Sequence, residues 1–167
     1  MKNIKTKSVV LVLSHCLLNP EVRAKGLSQH PEIKEKILKL AEKYNAKIEQ
    51  LPCPEFLFLG EREPKTYDEY IEIEGFKESC KKLAEDVSNN LVKSGECFIV
   101  VIGIARSPSC SISYVYDRNN NLKKGEGLFT HCLRKKIPTN SVLLEMDYHN
   151  IDGSIKKIRK VLETISC

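Results

Sequence analysis

Residues 8–16 read SVVLVLSHC, and this stretch decides the predicted fold. Its apolar, largely β-branched run predicts a buried strand over residues 8–14. A thiol, Cys16, follows the strand almost at once. In parallel sheets, binding sites lie outside the carboxyl ends of the strands. The position of Cys16 therefore makes it a candidate functional residue, provided that the sheet is parallel.

The rest of the chain predicts such a sheet. Further strands are predicted over residues 46–51, 97–104 and 141–146. Apolar residues at helical spacing predict helices from Pro31 to Tyr44, over 76–91, from Leu128 to Ile137, and from a cap at Asn150 or Asp152 to Ile165. This alternation predicts one α/β domain over residues 1–167, with a Rossmann- or flavodoxin-like parallel sheet and helices on both faces. The polar segment 115–126, VYDRNNNLKKGE, is predicted to be an exposed, mobile loop.

Composition narrows the class of protein. The chain has 167 residues, is 41% hydrophobic and 29% charged, and carries a formal charge of +5. Its longest apolar runs are far shorter than the ~20 residues that span a bilayer, so we expect a cytoplasmic protein without a membrane partner. The modest positive charge favours anionic small molecules. RNA is a less favoured partner, because basic and acidic residues are interleaved.

Three of the seven cysteines stand at equivalent places in the predicted sheet. Cys16 follows the first strand, Cys53 the second, and Cys110 the third. Because the strands are predicted to be parallel, these thiols should meet at one edge of the sheet. The remaining cysteines are Cys80, Cys97, Cys132 and Cys167, and we expect them to be packed or terminal residues rather than ligands. A contribution from Cys132 or its neighbour His131 is left open.

Three thiolates without a fourth suggest a metal centre with an open coordination position. Thiolates select zinc, Cu(I) or iron–sulfur clusters in proteins. Glu55, two residues after Cys53, is a candidate proton donor or acceptor. Ser107 and Ser109 precede Cys110 and offer hydroxyls or backbone amides beside the metal, where Ser109 can contact a bound substrate, although capping of a turn explains both serines equally well.

Cationic residues follow the first two strands. Arg23, Lys25 and Arg62 lie in predicted loops where they can face the phosphate of a nucleotide. A role as solvated surface residues is the alternative for each of them.

The motifs HCLLN (15–19), QLPCPEF (50–56) and RSPSCS (106–111) together resemble those of the thiouracil desulfidase family, in particular a diverged branch of it. The resemblance implies a flavodoxin-like domain in which a [4Fe–4S] cluster is held by three cysteines. In this chain the matching residues are Cys16, Cys53 and Cys110. The resemblance further implies that the fourth iron binds the sulfur of a thiolated nucleobase or nucleotide and that water replaces this sulfur without redox change. Glu55 and Ser107 match the acid/base pair.

The chain departs from the family pattern beside the implied substrate pocket. Residues 19–26 read NPEVRAKG, where better-known members have Gly and then an Arg-Tyr-Asp-Gly segment. Ser111 follows SPSC, where those members have Gly. Cluster binding therefore transfers more readily than the identity of the substrate.

Two other classes of function remain open at the level of sequence. One is a zinc–thiolate hydrolase or a structural metal protein built on the same three cysteines. The other is a nucleotide-binding or regulatory module with reactive thiols, which is disfavoured because no GxGxxG follows the first strand. The sequence predicts no oligomeric state.

Overall fold

The computed structural model describes residues 8–93 and 97–166, which form a parallel sheet, a small hairpin and seven α-helices. The strands are β1 (Ser8–Leu13), β2 (Lys47–Gln50), β3 (Cys97–Ile104), β4 (Tyr114–Tyr116), β5 (Leu122–Lys124) and β6 (Val142–Met146). The helices are α1 (His15–Leu18), α2 (Glu32–Lys43), α3 (Pro54–Leu59), α4 (Tyr67–Glu72), α5 (Phe76–Lys93), α6 (Leu128–Arg134) and α7 (Ile151–Ser166). A single 3₁₀ turn spans Pro20–Val22.

The main sheet has the strand order β2-β1-β3-β6, and every pairing in it is parallel. This order matches the first four strands of the flavodoxin-like arrangement, in which the chain reverses direction across the sheet after β2. Right-handed crossovers on either side of that reversal put helices on opposite faces. Accordingly α2 packs with α7, and α5 packs with α6. The predicted α/β class with a parallel sheet is confirmed.

The core lies on both sides of the two central strands. Leu11, Val12 and Leu13 of β1 are fully buried, as are Val100 and Ile102 of β3. A strand covered on both faces reads as a continuous apolar run, which is why SVVLVL and CFIVVIGI carry no alternation.

The sequence-predicted elements agree with the structure within a few residues, with one correction. Residues 115–126 are not a featureless loop. Residues 114–124 form the antiparallel hairpin β4–β5, in which Tyr114 pairs with Lys124 and Tyr116 with Leu122. Val115 is buried, so apolar packing holds the hairpin against the body of the protein. Three short helices, α1, α3 and α4, were not predicted.

The register of the sheet aligns the C-terminal part of β1 with those of its neighbours β2 and β3. Leu13 pairs with Gln50 on one side and with Ile102 on the other. The loops that follow β1, β2 and β3 therefore begin at the same edge, and Met146 ends β6 beside Ile104. The predicted single domain over residues 1–167 stays a prediction, since residues 1–7, 94–96 and 167 lie outside the described part. Cys167 is among them. No described helix is long and apolar enough to cross a membrane.

Candidate active site

A cavity of about 540 Å³ opens at this edge of the sheet. Two groups of segments contribute to its wall: the loops after β1, β2, β3 and β6, called here the strand-end side, and the segment around α4 with the hairpin β4–β5, called the hairpin side. Cys16, Cys53 and Cys110 all line it. The structure thus brings the three sequence-predicted cysteines to one cavity.

Cys16 is held in the short helix α1, directly after β1. The preceding residue, His15, anchors this turn, because its Nδ1 lies 3.1 Å from the carbonyl oxygen of Leu51 at the end of the neighbouring strand. The hydroxyl of Tyr148 donates to the Cys16 Sγ across 3.7 Å.

Cys53 caps the N-terminus of α3. Its Sγ accepts a hydrogen bond from the backbone N–H of Phe56 at 3.4 Å. Pro54, the first residue of the helix, has no N–H to satisfy and fixes the backbone for helix entry. The sequence PCPE therefore begins a helix at Cys53 and aims the thiol at the free amides of its first turn.

Cys110 lies in a loop that folds back onto β3. The backbone N–H of Ile104 donates to the Cys110 carbonyl oxygen at 3.1 Å. This close approach requires glycine: a Cβ on Gly103 would lie 2.2 Å from that oxygen, and one on Gly127 would lie 2.3 Å from the Ser109 carbonyl carbon. Two glycines thus let the SPSC loop sit against the strand end and against α6.

All three thiols are shifted toward the protonated form. Burial raises the pKa of Cys16 from 9.0 to about 11, although Tyr148 and Arg23 oppose the shift. Burial also raises the pKa of Cys53, and it raises that of Cys110 well above the ordinary value. The thiols act on one another electrostatically, since a charge on Cys53 or Cys16 further raises the pKa of Cys110. A cation that binds here must displace these protons.

The donor set of the cavity consists of thiols, the ligands that zinc, Cu(I) and iron–sulfur clusters take in proteins. Within residues 8–93 and 97–166, no three His, Cys, Asp or Glu side chains are grouped so that they could hold one metal ion. Three cysteines from separate loops are a donor set of the kind that a [4Fe–4S] cluster takes, because its cysteines bind different irons at separate corners.

Glu55 is buried beside the thiols and accepts four hydrogen bonds. Its Oε2 accepts from Arg62 Nε at 3.0 Å, from Arg62 Nη2 at 2.8 Å and from the Tyr70 hydroxyl at 2.9 Å. Its Oε1 accepts from the Ser109 hydroxyl at 2.6 Å. Arg62 is itself anchored, donating from Nη1 to the carbonyl oxygen of Val22 at 2.8 Å.

The two serines of the SPSC loop have different partners. Ser107 Oγ accepts from the backbone N–H groups of Ser109 and Cys110, at 3.3 and 3.0 Å, as a turn-capping hydroxyl does. The Ser107 and Ser109 oxygens are 3.4 Å apart. Because Ser109 donates to Glu55, the Ser107 hydroxyl is the donor between the two serines. Ser107, Ser109 and Glu55 thus form one chain of hydrogen bonds.

The three predicted phosphate-binding cations have separate environments. Arg23 lines the cavity, and its guanidinium carbon lies 3.9 Å from the centre of the Tyr148 ring. Arg62 also lines it, but its guanidinium is bonded to Glu55. Lys25 is not among the residues that line the cavity, and its ammonium lies 3.9 Å from the Glu63 carboxylate at an exposed position.

Sequence reasoning missed several residues of the site. Tyr70 and Tyr148 each donate to a predicted site residue. Arg106 lines the cavity with a positive φ of 65° and pairs with Asp147, its Nη2 lying 2.6 Å from Oδ1. The only signal in the sequence was position: Arg106 begins RSPSCS, and Tyr148 follows the fourth strand.

The cysteines that we expected to be packed lie elsewhere. Cys80 is fully buried on α5, Cys97 begins β3, and Cys132 is half-buried on α6. His131 is exposed, with Nδ1 3.4 Å from the Glu126 carboxylate. None of these residues belongs to the described wall of the cavity.

Comparisons with known proteins agree with this architecture. An uncharacterized protein of Methanocaldococcus jannaschii is 28% identical over 158 residues, covering 92% of this chain and 94% of that protein. The solved structure of the [4Fe–4S]-dependent thiouracil desulfidase TudS is similar in fold, with a TM-score of 0.54 at 16% identity over 91% of this chain and 97% of its own. The 2-thiouracil desulfurase family matches residues 11–145, a span that contains all three cysteines of the cavity. The chain belongs to the 2-thiouracil desulfurase family.

Proposed function

We propose that this protein is a [4Fe–4S]-dependent desulfidase that converts the C=S group of a thiolated nucleobase or nucleotide into C=O. In this reaction one carbon–sulfur bond breaks and one carbon–oxygen bond forms. Water supplies the oxygen, its two protons leave with the sulfur as hydrogen sulfide, and no electrons are gained or lost. The observation that carries the proposal is the convergence of three thiols and a buried carboxylate in one cavity.

The cofactor is supported by the donor set. Cys16, Cys53 and Cys110 would hold the cluster, because each lines the cavity from the end of a different strand. The structural neighbour of similar fold is itself named as [4Fe–4S]-dependent. When bound through only three cysteines, the cluster supplies a Lewis-acidic iron with an open position for the sulfur of the substrate.

Protons would travel along the hydrogen-bonded chain from Ser107 through Ser109 to Glu55. A water molecule that attacks the ring carbon must lose protons, and the departing sulfur must gain them. The Ser109 hydroxyl, bonded to Glu55 at 2.6 Å and 3.5 Å from the Cys110 Sγ, links the carboxylate to the thiols. We therefore propose Glu55 and Ser107 as the acid/base pair, with Ser109 passing protons between them.

Arg62 and Tyr70 would fix which oxygen of the Glu55 carboxylate faces Ser109. Their three hydrogen bonds occupy Oε2, so Oε1 is the oxygen turned toward Ser109. The role proposed for Arg62 is therefore to hold Glu55 rather than to bind the phosphate of a substrate.

The substrate would be a thiolated pyrimidine that extends toward the mouth of the cavity. Tyr67 and Tyr116 line the cavity from α4 and the hairpin and offer aromatic surfaces to a base or sugar. Of the cations predicted to bind phosphate, we propose Arg23 for this role, because it lines the cavity and Lys25 does not. We propose the cytoplasm as the compartment, because reducing conditions keep the three thiols free for metal.

The test of the proposal replaces Glu55 and a matched exposed glutamate. Glu55→Gln keeps the size of the side chain but cannot accept a proton, so kcat for a thiolated pyrimidine should fall by about 10²–10⁴. The visible absorbance of the reconstituted cluster should stay unchanged. Glu61→Gln, in the exposed part of the same segment, should leave both quantities unchanged. Normal turnover by Glu55→Gln with an intact cluster would remove the acid/base role.

A further inference from the structure

The fourth strand of the sheet also contributes a side chain to the site. Tyr148 follows β6 by two residues and lines the same cavity as the three cysteines. Its hydroxyl donates to the Cys16 Sγ across 3.7 Å, within the range for a hydrogen bond to sulfur. Each strand of the main sheet is thus followed by a residue of the cavity wall. This residue is a cysteine after β1, β2 and β3, and a tyrosine after β6.

The ring of Tyr148 is held on more than one side. The guanidinium carbon of Arg23 lies 3.9 Å from the ring centre, which is cation–π distance. The His30 ring lies 5.5 Å away, centre to centre, in a tilted arrangement. Both neighbours come from the segment between β1 and β2, which also carries Cys16. The hydroxyl is therefore aimed at the sulfur by its surroundings.

The Tyr148 hydroxyl is the donor in this contact, and the Cys16 sulfur is the acceptor. A donor facing a thiolate is the arrangement that stabilises sulfur bound to metal.

We propose that Tyr148 is a positioning residue of the metal centre, whose hydroxyl donates a hydrogen bond to the Cys16 sulfur when that sulfur ligates iron. The inference rests on the proposed function, since it requires a cluster on Cys16. It predicts two effects. A donor to a ligating sulfur stabilises the more negative, reduced state and so raises the reduction potential. It also slows loss of iron, because an orienting partner of a ligand strengthens metal binding.

A role in packing alone predicts something different. Removing the Tyr148 hydroxyl would then change thermal stability slightly, and the potential of the cluster would not move. The reduction potential is therefore the measurement that separates the two roles.

The experiment compares anaerobically reconstituted wild-type protein with Tyr148→Phe. The matched control is Tyr116→Phe, which removes the hydroxyl of a second tyrosine from the same cavity wall. Potentials are measured by dye-mediated reductive titration, and iron loss is followed with a chromogenic iron chelator. We expect a lower potential and about tenfold faster iron loss in Tyr148→Phe, with wild-type values in Tyr116→Phe.

The outcomes also separate this inference from the proposed function. A cluster in Tyr148→Phe with the wild-type potential and the wild-type rate of iron loss would overturn the role of Tyr148 and leave the desulfidase proposal standing. A lower melting temperature with unchanged potential would likewise overturn it in favour of packing. Wild-type protein that takes up no cluster would overturn the proposed function and this inference together. Arg23→Gln, which frees one face of the ring, should shift the potential in the same direction by a smaller amount.

Discussion

The two sides of the cavity are stabilised in different ways. On the side of the strand ends, the ion pair between Arg62 and Glu55 is almost fully buried, with side-chain exposures of 6% and 10%. On the side of the hairpin, the pair between Arg118 and Glu72 is largely exposed, at 58% and 62%. A second pair, Lys123 with Asp68, also joins the hairpin to α4. The ion pair of the strand-end side is thus buried, whereas the ion pairs that join the hairpin to α4 lie at the surface.

This difference suggests a division of labour. Chemistry that depends on a proton chain needs side chains held in one geometry, and the strand-end loops provide it through Glu55, Ser109 and the glycines under the SPSC loop. Exposed ion pairs are individually weak, so the hairpin side can change in sequence at small cost in stability.

The largest effect is expected from a ligand on the strand-end side. Cys53→Ser should abolish both cluster binding and turnover, because two cysteines hold the cluster poorly. The matched control is Cys132→Ser on α6, away from the cavity wall, which should retain cluster and activity. Iron content and turnover measured on both variants check this, and a fully active Cys53→Ser would refute the ligand assignment.

The two ion pairs should respond unequally to the same substitution. Arg62→Met leaves a buried carboxylate without its partner and should lower the free energy of unfolding by about 3–5 kcal/mol. Arg118→Met breaks the exposed pair with Glu72 and should cost less than about 1 kcal/mol. Urea denaturation of the two variants gives the comparison directly. Equal losses would mean that the two sides do not differ in the way described.

The thiols should make the metal-free protein sensitive to alkaline pH. The pKa of Cys16 is 9.0 in the unfolded chain and about 11 in the folded one, so above pH 9 the unfolded state loses this proton first. The free energy of unfolding therefore falls as pH rises toward 11, by about 1–3 kcal/mol for this group. Because other groups titrate in the same range, the quantity to measure is the difference in slope between wild type and Cys16→Ser. Identical slopes would contradict burial of the thiol.

A smaller effect is expected from replacing Arg23, the cation proposed to bind the phosphate of a substrate. Arg23→Glu should raise KM for a thionucleotide about tenfold, and should raise KM for the free thiobase less, since only the nucleotide carries a phosphate. Lys25→Glu, outside the cavity wall, should have the smaller effect on the nucleotide. If Arg23→Glu affects both substrates alike, the phosphate assignment is wrong.

The strand-end side is also the side that the sequence predicted well. Long apolar runs such as CFIVVIGI mark buried strands without ambiguity, and parallel order then places Cys16, Cys53 and Cys110 at one edge. The hairpin was mistaken for a loop because each of its strands has three residues, which is too short for a periodic pattern. Helix α4 was not predicted for a similar reason, since it makes fewer than two turns.

Contacts between residues that are far apart in the chain could not be predicted from the sequence. Arg62 was predicted to face a nucleotide phosphate because it follows the second strand, and the structure places its guanidinium against Glu55 and Tyr70. Tyr148 contacts a residue 132 positions earlier in the chain, and no local pattern encodes that contact. Ser109, and not Ser107, donates to Glu55. Which of the two serines does so depends on how the SPSC loop folds back over Gly103.

The central claim is that three strand-end cysteines hold a [4Fe–4S] cluster on which desulfidation depends. The most direct measurement reconstitutes the metal-free protein anaerobically with iron and sulfide, determines iron and inorganic sulfide per chain, and assays conversion of a thiolated pyrimidine to its oxygen analogue. We expect about four irons and four sulfides per chain, with sulfide release that appears only in the reconstituted protein. Zinc bound in place of iron, or turnover equal in the metal-free and reconstituted proteins, would contradict it.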